Sequence, residues 1–209
     1  KYIKNQPKFY NYYSDIIDMD EDPTKNKLAW DRYVNTIQTD MEWGDDIYTA
    51  FKDAGIDQVA YVPDAGHKRL INACIADNDI KAVSLTTEEE GIALSAGAWL
   101  GGQKCVILMQ SSGVGNCINM LSLIETCRFP FVAFVTMRGQ WHEFNPWQMP
   151  MGTTTKLALE TAGCLVDEVE EPADVGAKAA AALHKAFVGQ QSTALLLNQR
   201  LVTVKTFGK

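Results

Sequence analysis

The amino-acid sequence predicts an α/β fold, namely a doubly wound, mostly parallel sheet with helices on both faces. Helical and strand patterns alternate from residue 41 onward, and such alternation implies right-handed crossovers between parallel strands. The strands are near-continuous apolar runs, Cys105–Met109 among them, which is typical of a sheet covered on both faces. A chain of 209 residues, 46% of them hydrophobic, is long and apolar enough to bury one such core.

The individual elements follow from apolar spacing and from turn residues. Ile47, Phe51 and Ala54 share one face of a first helix, which Gly55 ends. The later elements alternate along the chain: strands at 58–62, 81–85, 105–109, 131–136, 164–169 and 193–198, and helices at 67–76, 88–100, 114–127, 153–162 and 173–188. Ligands of such folds bind at the carboxyl ends of the strands. This selects the loops 64–67, 86–90, 110–116 and 137–152.

Residues 1–40 differ from the rest of the chain, because they are rich in aromatic residues and dotted with Asn, Pro and Asp. We expect them to form an N-terminal extension that lies on a neighbouring subunit as an interface arm. No internal repeat or second domain is visible after residue 40. Residues 41–209 are therefore predicted to form one domain.

Charge and cysteine content exclude several classes of partner. The net charge is −7 and no basic cluster is present, so neither nucleic acid nor an acidic membrane surface is an expected partner. The five cysteines lie in apolar runs and match no zinc-ligand spacing, which predicts reduced, buried thiols and no metal site on this chain. No apolar run is long enough to span a membrane and no secretory signal is visible. An odd number of cysteines in a long chain favours a reducing compartment, and we therefore expect a cytoplasmic protein.

Three consecutive carboxylates open the predicted helix at 88–100. Thr87 and Glu90 have the spacing of a capping box, and acidic side chains in a first turn also suit the helix dipole. Capping is the commoner interpretation of this pattern, but it does not require three carboxylates in a row. A chemical role for one of them, as a group that shares a proton, is the alternative.

A glycine-rich turn at 110–116 follows one strand and opens a helix. It is a weak dinucleotide fingerprint, because the third glycine is missing and the next strand ends without a ribose-binding acid. It is not a phosphate-binding P-loop either, because no Gly-Lys-Ser/Thr follows. A tight strand-to-helix turn that needs small residues is the structural interpretation. A nucleotide-binding domain remains a distant alternative.

Two further loops allow either a structural or a functional interpretation. Asp64 and Gly66 form an ordinary turn after Pro63, but His67 and the two basic residues after it are placed to bind an anionic substrate. Arg138 begins a long loop with two tryptophans, and such loops are often lids or interfaces.

Together these segments resemble the pyrimidine-binding domain of thiamine diphosphate enzymes, and in particular the sulfopyruvate decarboxylase alpha subunit and phosphonopyruvate decarboxylase family. The resemblance covers about residues 41–200. It rests on five motifs in this order: Val62-Pro63-Asp64, Glu88-Glu89-Glu90-Gly91 through Ala96-Gly97, Met109 through Asn116, Arg138-Gly139, and Pro150-Met151-Gly152. The resemblance implies a thiamine diphosphate-binding fold.

The resemblance also implies roles for individual residues. In the family, a carboxyl at the helix start hydrogen-bonds N1′ of the cofactor's aminopyrimidine and so activates the cofactor. Unbroken spacing to Ala96-Gly97 places this carboxyl at Glu88, and a shift of one residue would make it Glu89. The cofactor-binding residues would be Glu88, Gln110, Ser111, Ser112, Gly113 and Asn116. Asp64 would be a second catalytic residue, in proton transfer, while His67 and Arg138 would bind an anionic substrate tail.

The second half of such a site is missing from this sequence. The family holds the diphosphate through Mg²⁺ with a Gly-Asp-Gly motif, which does not occur here. The resemblance therefore implies an alpha subunit that is active only with a beta subunit, and the ligands of Mg²⁺ are expected on that beta subunit. The expected reaction is decarboxylation of a 2-oxo acid, a 3-substituted pyruvate such as sulfopyruvate or phosphonopyruvate.

Departures from the family pattern leave the substrate open. Ser111 replaces the usual Asn, and Met137 replaces the usual Trp. These changes make the pocket less polar, so a bulkier or less charged 2-oxo acid is an alternative substrate. Two other functions also stay open: a carboligating thiamine diphosphate enzyme, and a non-catalytic regulatory or scaffold subunit that retains the fold.

Overall fold

The structure is a computed structural model that describes residues 42–141, 143 and 145–201. The predicted interface arm at 1–40 lies outside these residues. The described chain forms one parallel sheet of six strands: β1 (Gln58–Tyr61), β2 (Lys81–Ser84), β3 (Cys105–Gln110), β4 (Phe131–Thr136), β5 (Leu165–Val169) and β6 (Ser192–Leu197). The strand order is β2-β1-β3-β4-β6-β5. This arrangement confirms the predicted α/β fold.

Seven α-helices of the described chain cover the two faces of the sheet. They are α1 (Trp43–Ala54), α2 (Lys68–Ala76), α3 (Glu88–Leu100), α4 (Ser111–Cys117), α5 (Ser122–Cys127), α6 (Met149–Thr161) and α7 (Val175–Phe187). Buried residues of α1, α2 and α7 form the core on one face, and those of α3 to α6 form the core on the other. None of the helices within the described ranges is long and apolar enough to cross a membrane.

Strands β3 and β4 are the most deeply buried part of the sheet. Alternate residues of β3 point to opposite cores: Leu108 packs on the side of α1, and Ile107 on the side of α3. All six residues of β4 are buried, and Phe134 meets Phe51 edge to face with ring centroids 5.1 Å apart. Burial on both faces explains why these strands read as continuous apolar runs.

Helix boundaries differ from the predictions where glycine and turn residues intervene. Gly55 ends α1 as predicted, in the left-handed conformation at φ 65°. The single helix predicted over 114–127 is two helices, α4 and α5. The break lies at the turn before Ser122, whose backbone N–H and hydroxyl both bond to the carbonyl of Asn119. The helix predicted over 153–162 already begins at Met149.

The cysteine prediction is confirmed for four residues and wrong for one. Cys74, Cys105, Cys117 and Cys164 are buried free thiols, whereas Cys127 is exposed at the end of α5. Burial raises the pKa of the Cys74 and Cys164 thiols to about 12.

The strand order reverses between β1 and β3, because β2 lies beyond β1 and β4 lies beyond β3. In open parallel sheets the crevice at such a reversal is where ligands bind. It brings together the loop after β1 and the loop after β3, with the start of α3 beside them. Three of the loops predicted from the sequence therefore meet at one edge of the sheet.

Candidate active site at the carboxyl end of the sheet

Glu88 is a nearly buried carboxylate at the first residue of α3. It is 9% exposed, and Thr87 before it is extended, so the chain enters the helix at this residue. Its Oε2 accepts a hydrogen bond from Nδ2 of Asn116 at 2.8 Å. A Cβ atom at position 113 would overlap the Glu88 carboxyl group. Gly113 is thus the residue that gives this carboxylate its space.

The three glutamates at the start of α3 make different contacts. Glu90 folds back, and its Oε2 accepts the backbone N–H of Thr86 at 2.8 Å. A hydrogen bond from the Thr87 hydroxyl lowers the pKa of Glu89. The capping-box prediction is correct only in that the Glu90 side chain turns back toward the residues before the helix. Thr87 makes no side-chain capping bond. Glu90 accepts the backbone N–H of Thr86 rather than that of Thr87.

A second carboxylate, Asp64, is held on both of its oxygens. Gln110 donates from Nε2 to Oδ1 at 3.0 Å, and Thr136 donates from Oγ1 to Oδ2 at 2.6 Å. Ser112 in turn donates to Oε1 of Gln110 at 3.0 Å. A Cβ atom at Gly66 would lie 2.9 Å from Oδ2 and 2.7 Å from Thr136 Cγ2. The predicted residues Asp64, Gln110 and Ser112 therefore form one hydrogen-bonded chain.

Ser111 lies beside this chain but points elsewhere. It is fully buried, and its Oγ accepts the backbone N–H of Arg138 at 3.1 Å. Its carbonyl oxygen lies 3.3 Å from the hydroxyl of Thr155 on α6. In this structure Ser111 joins the loop after β4 and α6 to the start of α4.

Arg138 forms a bidentate ion pair with Glu143. Nε and Nη2 of the guanidinium each lie 2.6 Å from a different oxygen of this carboxylate. The Glu143 side chain has 0% exposure, and it also accepts bonds from Gly139 N–H, Asn145 N–H and Gln199 Nε2. Burial raises the pKa of Glu143, but Arg138 and the backbone donors outweigh it and hold the pKa at about 2. Arg138 therefore orders its own loop in this structure.

His67 is fully buried rather than facing a substrate. Its Nε2 lies 3.1 Å from the carbonyl oxygen of Phe134, and because a carbonyl only accepts, Nε2 carries the proton. Nδ1 is buried without a partner. Burial lowers the pKa of His67, although the charge of Asp64 opposes this. The ring is accordingly neutral near pH 7, and the structure does not bring it together with Arg138 as a pair of cations.

Two motifs from the sequence meet where α6 begins. Gly139 has φ +77°, and a Cβ atom there would lie 2.5 Å from the carbonyl oxygen of Gln148. A Cβ atom at Gly152 would lie 2.5 Å from the carbonyl oxygen of Arg138. The Arg138-Gly139 turn and the first turn of α6 thus pack backbone to backbone, which only glycine permits at these two positions.

The sequence analysis missed three residues of this region: Thr136, Glu143 and Gln199. Thr136 carries a weak signal, because it is a polar residue that ends an otherwise apolar strand. Glu143 and Gln199 carry none, because their partner depends on how the loop folds. No group of three or more His, Cys, Asp or Glu within 42–141, 143 and 145–201 is placed to hold a metal ion.

Comparison with known proteins supplies relatives and a fold neighbour. The sulfopyruvate decarboxylase alpha subunit of Methanococcus maripaludis is 42% identical over 122 residues, which are 58% of this chain and 73% of that subunit. The corresponding subunit of Methanocaldococcus jannaschii is 43% identical over 54% of this chain and 68% of its own length. Phosphonopyruvate decarboxylase of Streptomyces viridochromogenes is 38% identical over 46% of this chain, but only 24% of that enzyme is covered.

The fold has a solved counterpart in a larger protein. The 2-oxoglutarate:ferredoxin oxidoreductase from Magnetococcus marinus superimposes with a TM-score of 0.65 at 17% identity. The match covers 77% of this chain and 29% of that one, so it supports the fold alone. No protein-family model matches the chain. The identities of 42% and 43% over more than two thirds of two alpha subunits are decisive: the chain belongs to the sulfopyruvate decarboxylase alpha subunit and phosphonopyruvate decarboxylase family.

Proposed function

We propose that this chain is the alpha subunit of a thiamine diphosphate-dependent decarboxylase that acts on a 2-oxo acid, with Glu88 as the residue that activates the cofactor. The observation that carries the proposal is the Glu88 carboxylate, nearly buried at the strand-order reversal and seated between Gly113 and Asn116. The family of decarboxylase alpha subunits to which the chain belongs supports the reaction class.

The residues present fit an aminopyrimidine. Such a ring offers a basic ring nitrogen and an exocyclic amine, which call for a carboxyl group and for amide or hydroxyl partners. Glu88 supplies the carboxyl, and Gln110 and Ser112 supply an amide and a hydroxyl nearby along the same turn. The Glu88 carboxyl occupies the space that a Cβ atom at position 113 would fill. Because Gly113 has no side chain, this space is free for the carboxyl.

When bound, thiamine diphosphate supplies a carbon nucleophile and an electron sink for the loss of CO₂. In the proposed mechanism Glu88 holds a proton at a carboxyl oxygen and shares it with the pyrimidine N1′. Asp64 holds or moves a proton at the pocket mouth, and the donors Gln110 and Thr136 fix its direction. Ser111 supports the site indirectly, by holding the backbone of Arg138.

The geometry argues against cationic substrate binding by His67 and Arg138 in this structure, since one is neutral and the other is paired with Glu143. We propose that a beta subunit carries the residues that bind the diphosphate and its Mg²⁺. The cationic side chain that binds an anionic substituent of the substrate would lie on the same subunit. The relatives are named as alpha subunits, which supports a partner of this kind. Sulfopyruvate and phosphonopyruvate are the first substrates to test.

The test is co-expression of the chain with its candidate beta subunit, followed by CO₂ release from a panel of 2-oxo acids with thiamine diphosphate and Mg²⁺. We expect cofactor-dependent turnover that Glu88→Gln lowers by about 100-fold or more, since it removes the acid–base group. Glu89→Gln is the matched control, with an expected effect below tenfold. Absence of turnover in the wild type would contradict the proposal. A large loss with Glu89→Gln and none with Glu88→Gln would move the role by one residue.

A further inference from the structure

Gly113 and Asn116 lie one turn apart on α4, three residues from each other, so both face the same side of this helix. Glu88 lies on that side. Gly113 leaves the space in which Oε1 of the carboxylate rests, and Asn116 donates to the other oxygen, Oε2, at 2.8 Å. The spacing Gly-x-x-Asn on one short helix therefore forms a seat with a different role for each carboxylate oxygen.

Two of the three residues of this seat are buried: Glu88 is 9% exposed, and Gly113 is buried as well. Cys117, the next residue of α4, is 1% exposed. Burial first, and then the charges of Glu88 and Glu89, raise the pKa of its thiol to about 12. A hydrogen bond to a carboxylate has a larger effect where water does not compete for the same oxygen. The single amide of Asn116 is hence placed to control the orientation of Glu88.

We propose that Asn116 is a positioning residue: it holds Oε2 of Glu88 and so keeps Oε1, the oxygen over Gly113, turned toward the pyrimidine N1′. This inference rests on the proposed function and changes one expectation, since the sequence places Asn116 among residues that contact the cofactor directly. Asn116 is exposed, so its replacement leaves both cores intact.

The test compares two ligands in the complex of this chain with its beta subunit. One is thiamine diphosphate, and the other is an analogue in which N1′ is replaced by C–H. Calorimetric binding in the presence of Mg²⁺ gives the preference for the cofactor, which measures the Glu88–N1′ interaction without any turnover. We expect Asn116→Ala to reduce this preference by about tenfold, the size of one hydrogen bond to a charged group. Glu88→Ala, which leaves no donor for N1′, should abolish it.

Control variants separate the possible causes. Asn72→Ala, at an exposed residue of α2 on the opposite face, should leave the preference unchanged. In a Glu88→Ala background, Asn116→Ala should have no further effect, because a positioning residue acts only through the group that it positions. Asn116→Asp, which replaces the donor by a second carboxylate, should lower the preference at least as much as Asn116→Ala.

Each other outcome overturns a specific statement. If Asn116→Ala weakens both ligands equally, Asn116 contacts the cofactor directly, and the positioning role is refuted while the proposed function stands. An unchanged preference also refutes it. A wild-type complex that binds both ligands equally, or binds neither, overturns the role proposed for Glu88 and this inference with it.

Discussion

Replacing Glu143 by Gln is the sharpest test of how the loop after β4 is held. The carboxylate is fully buried and accepts two bonds from Arg138, two from the backbone N–H groups of Gly139 and Asn145, and one from Gln199. Glu143→Gln keeps the shape but removes the charge. It also turns an amide N–H₂ group toward donors that need an acceptor. We expect a folded chain with a clearly lower free energy of unfolding.

The magnitude follows from linkage between protonation and folding. The pKa of Glu143 is lowered from its usual value of 4.5 to about 2 in the folded chain. The pKa of the folded chain is thus about 2.5 below that of the unfolded chain, which corresponds to about 3 kcal/mol of stability at pH 7. Because the folded pKa is depressed, this contribution is complete above pH 4.5 and is lost as pH falls toward 2. Near pH 3 roughly 1 kcal/mol remains.

Urea unfolding of the full-length chain at pH 7 and pH 3, followed by far-ultraviolet circular dichroism, measures both values. At pH 7 the midpoint of Glu143→Gln should fall by about 1 M, and at pH 3 by a third to a half of that. Glu160→Gln, at an exposed carboxylate of α6, is the matched control and should stay within about 0.5 kcal/mol of the wild type. An equal loss at both pH values, or no loss at pH 7, would refute the reasoning.

Three further predictions concern Gly139, Gly113 and Cys127. Gly139→Ala should lower the free energy of unfolding in urea by about 1–3 kcal/mol, because of its positive φ and the nearby carbonyl. Gly97→Ala, with open space around it, is the control and should not destabilise the chain. Equal effects of the two variants would contradict this. Gly113→Ala should displace the Glu88 carboxyl and lower turnover of the complex by about 100-fold, with the melting temperature nearly unchanged; full turnover would contradict it. One thiol per native chain, Cys127, should react with an aromatic disulfide reagent, and all five after unfolding; a second fast thiol in the native chain would contradict it.

The fold could be predicted from the sequence because its signals are local. Apolar runs such as β3 and β4 are buried on both faces, and Gly55 ends α1 by adopting a conformation that few other residues reach. The convergence of the loops after β1 and β3 could also be predicted, since parallel strands end at the same edge of the sheet. Helix boundaries were less accurate, because the break before Ser122 depends on a turn rather than on periodicity.

The partners of the polar side chains could not be predicted in the same way. Arg138 was expected to bind an anionic substrate, and the structure pairs it with Glu143, five residues later in its own loop. His67 follows a turn as a solvent-facing residue would, yet it is fully buried. In both cases the sequence shows the charge of a side chain but not the direction in which the loop carries it, and that direction is set by contacts distant in the sequence.

The start of α3 shows what the tertiary structure adds to a sequence motif. Successive helical residues project about 100° apart, so Glu88, Glu89 and Glu90 reach different surroundings although their chemistry is the same. Glu90 returns to the backbone of Thr86, whereas Glu88 rests on Gly113 of another helix. The Glu90 carboxylate is engaged by the backbone at the start of its own helix. The Glu88 carboxylate accepts a hydrogen bond from Asn116 on one oxygen, so its other oxygen can bind a ligand. Glu88 is therefore the glutamate whose environment suits a chemical role, and this distinction rests on Gly113 and Asn116 rather than on the acidic triplet itself.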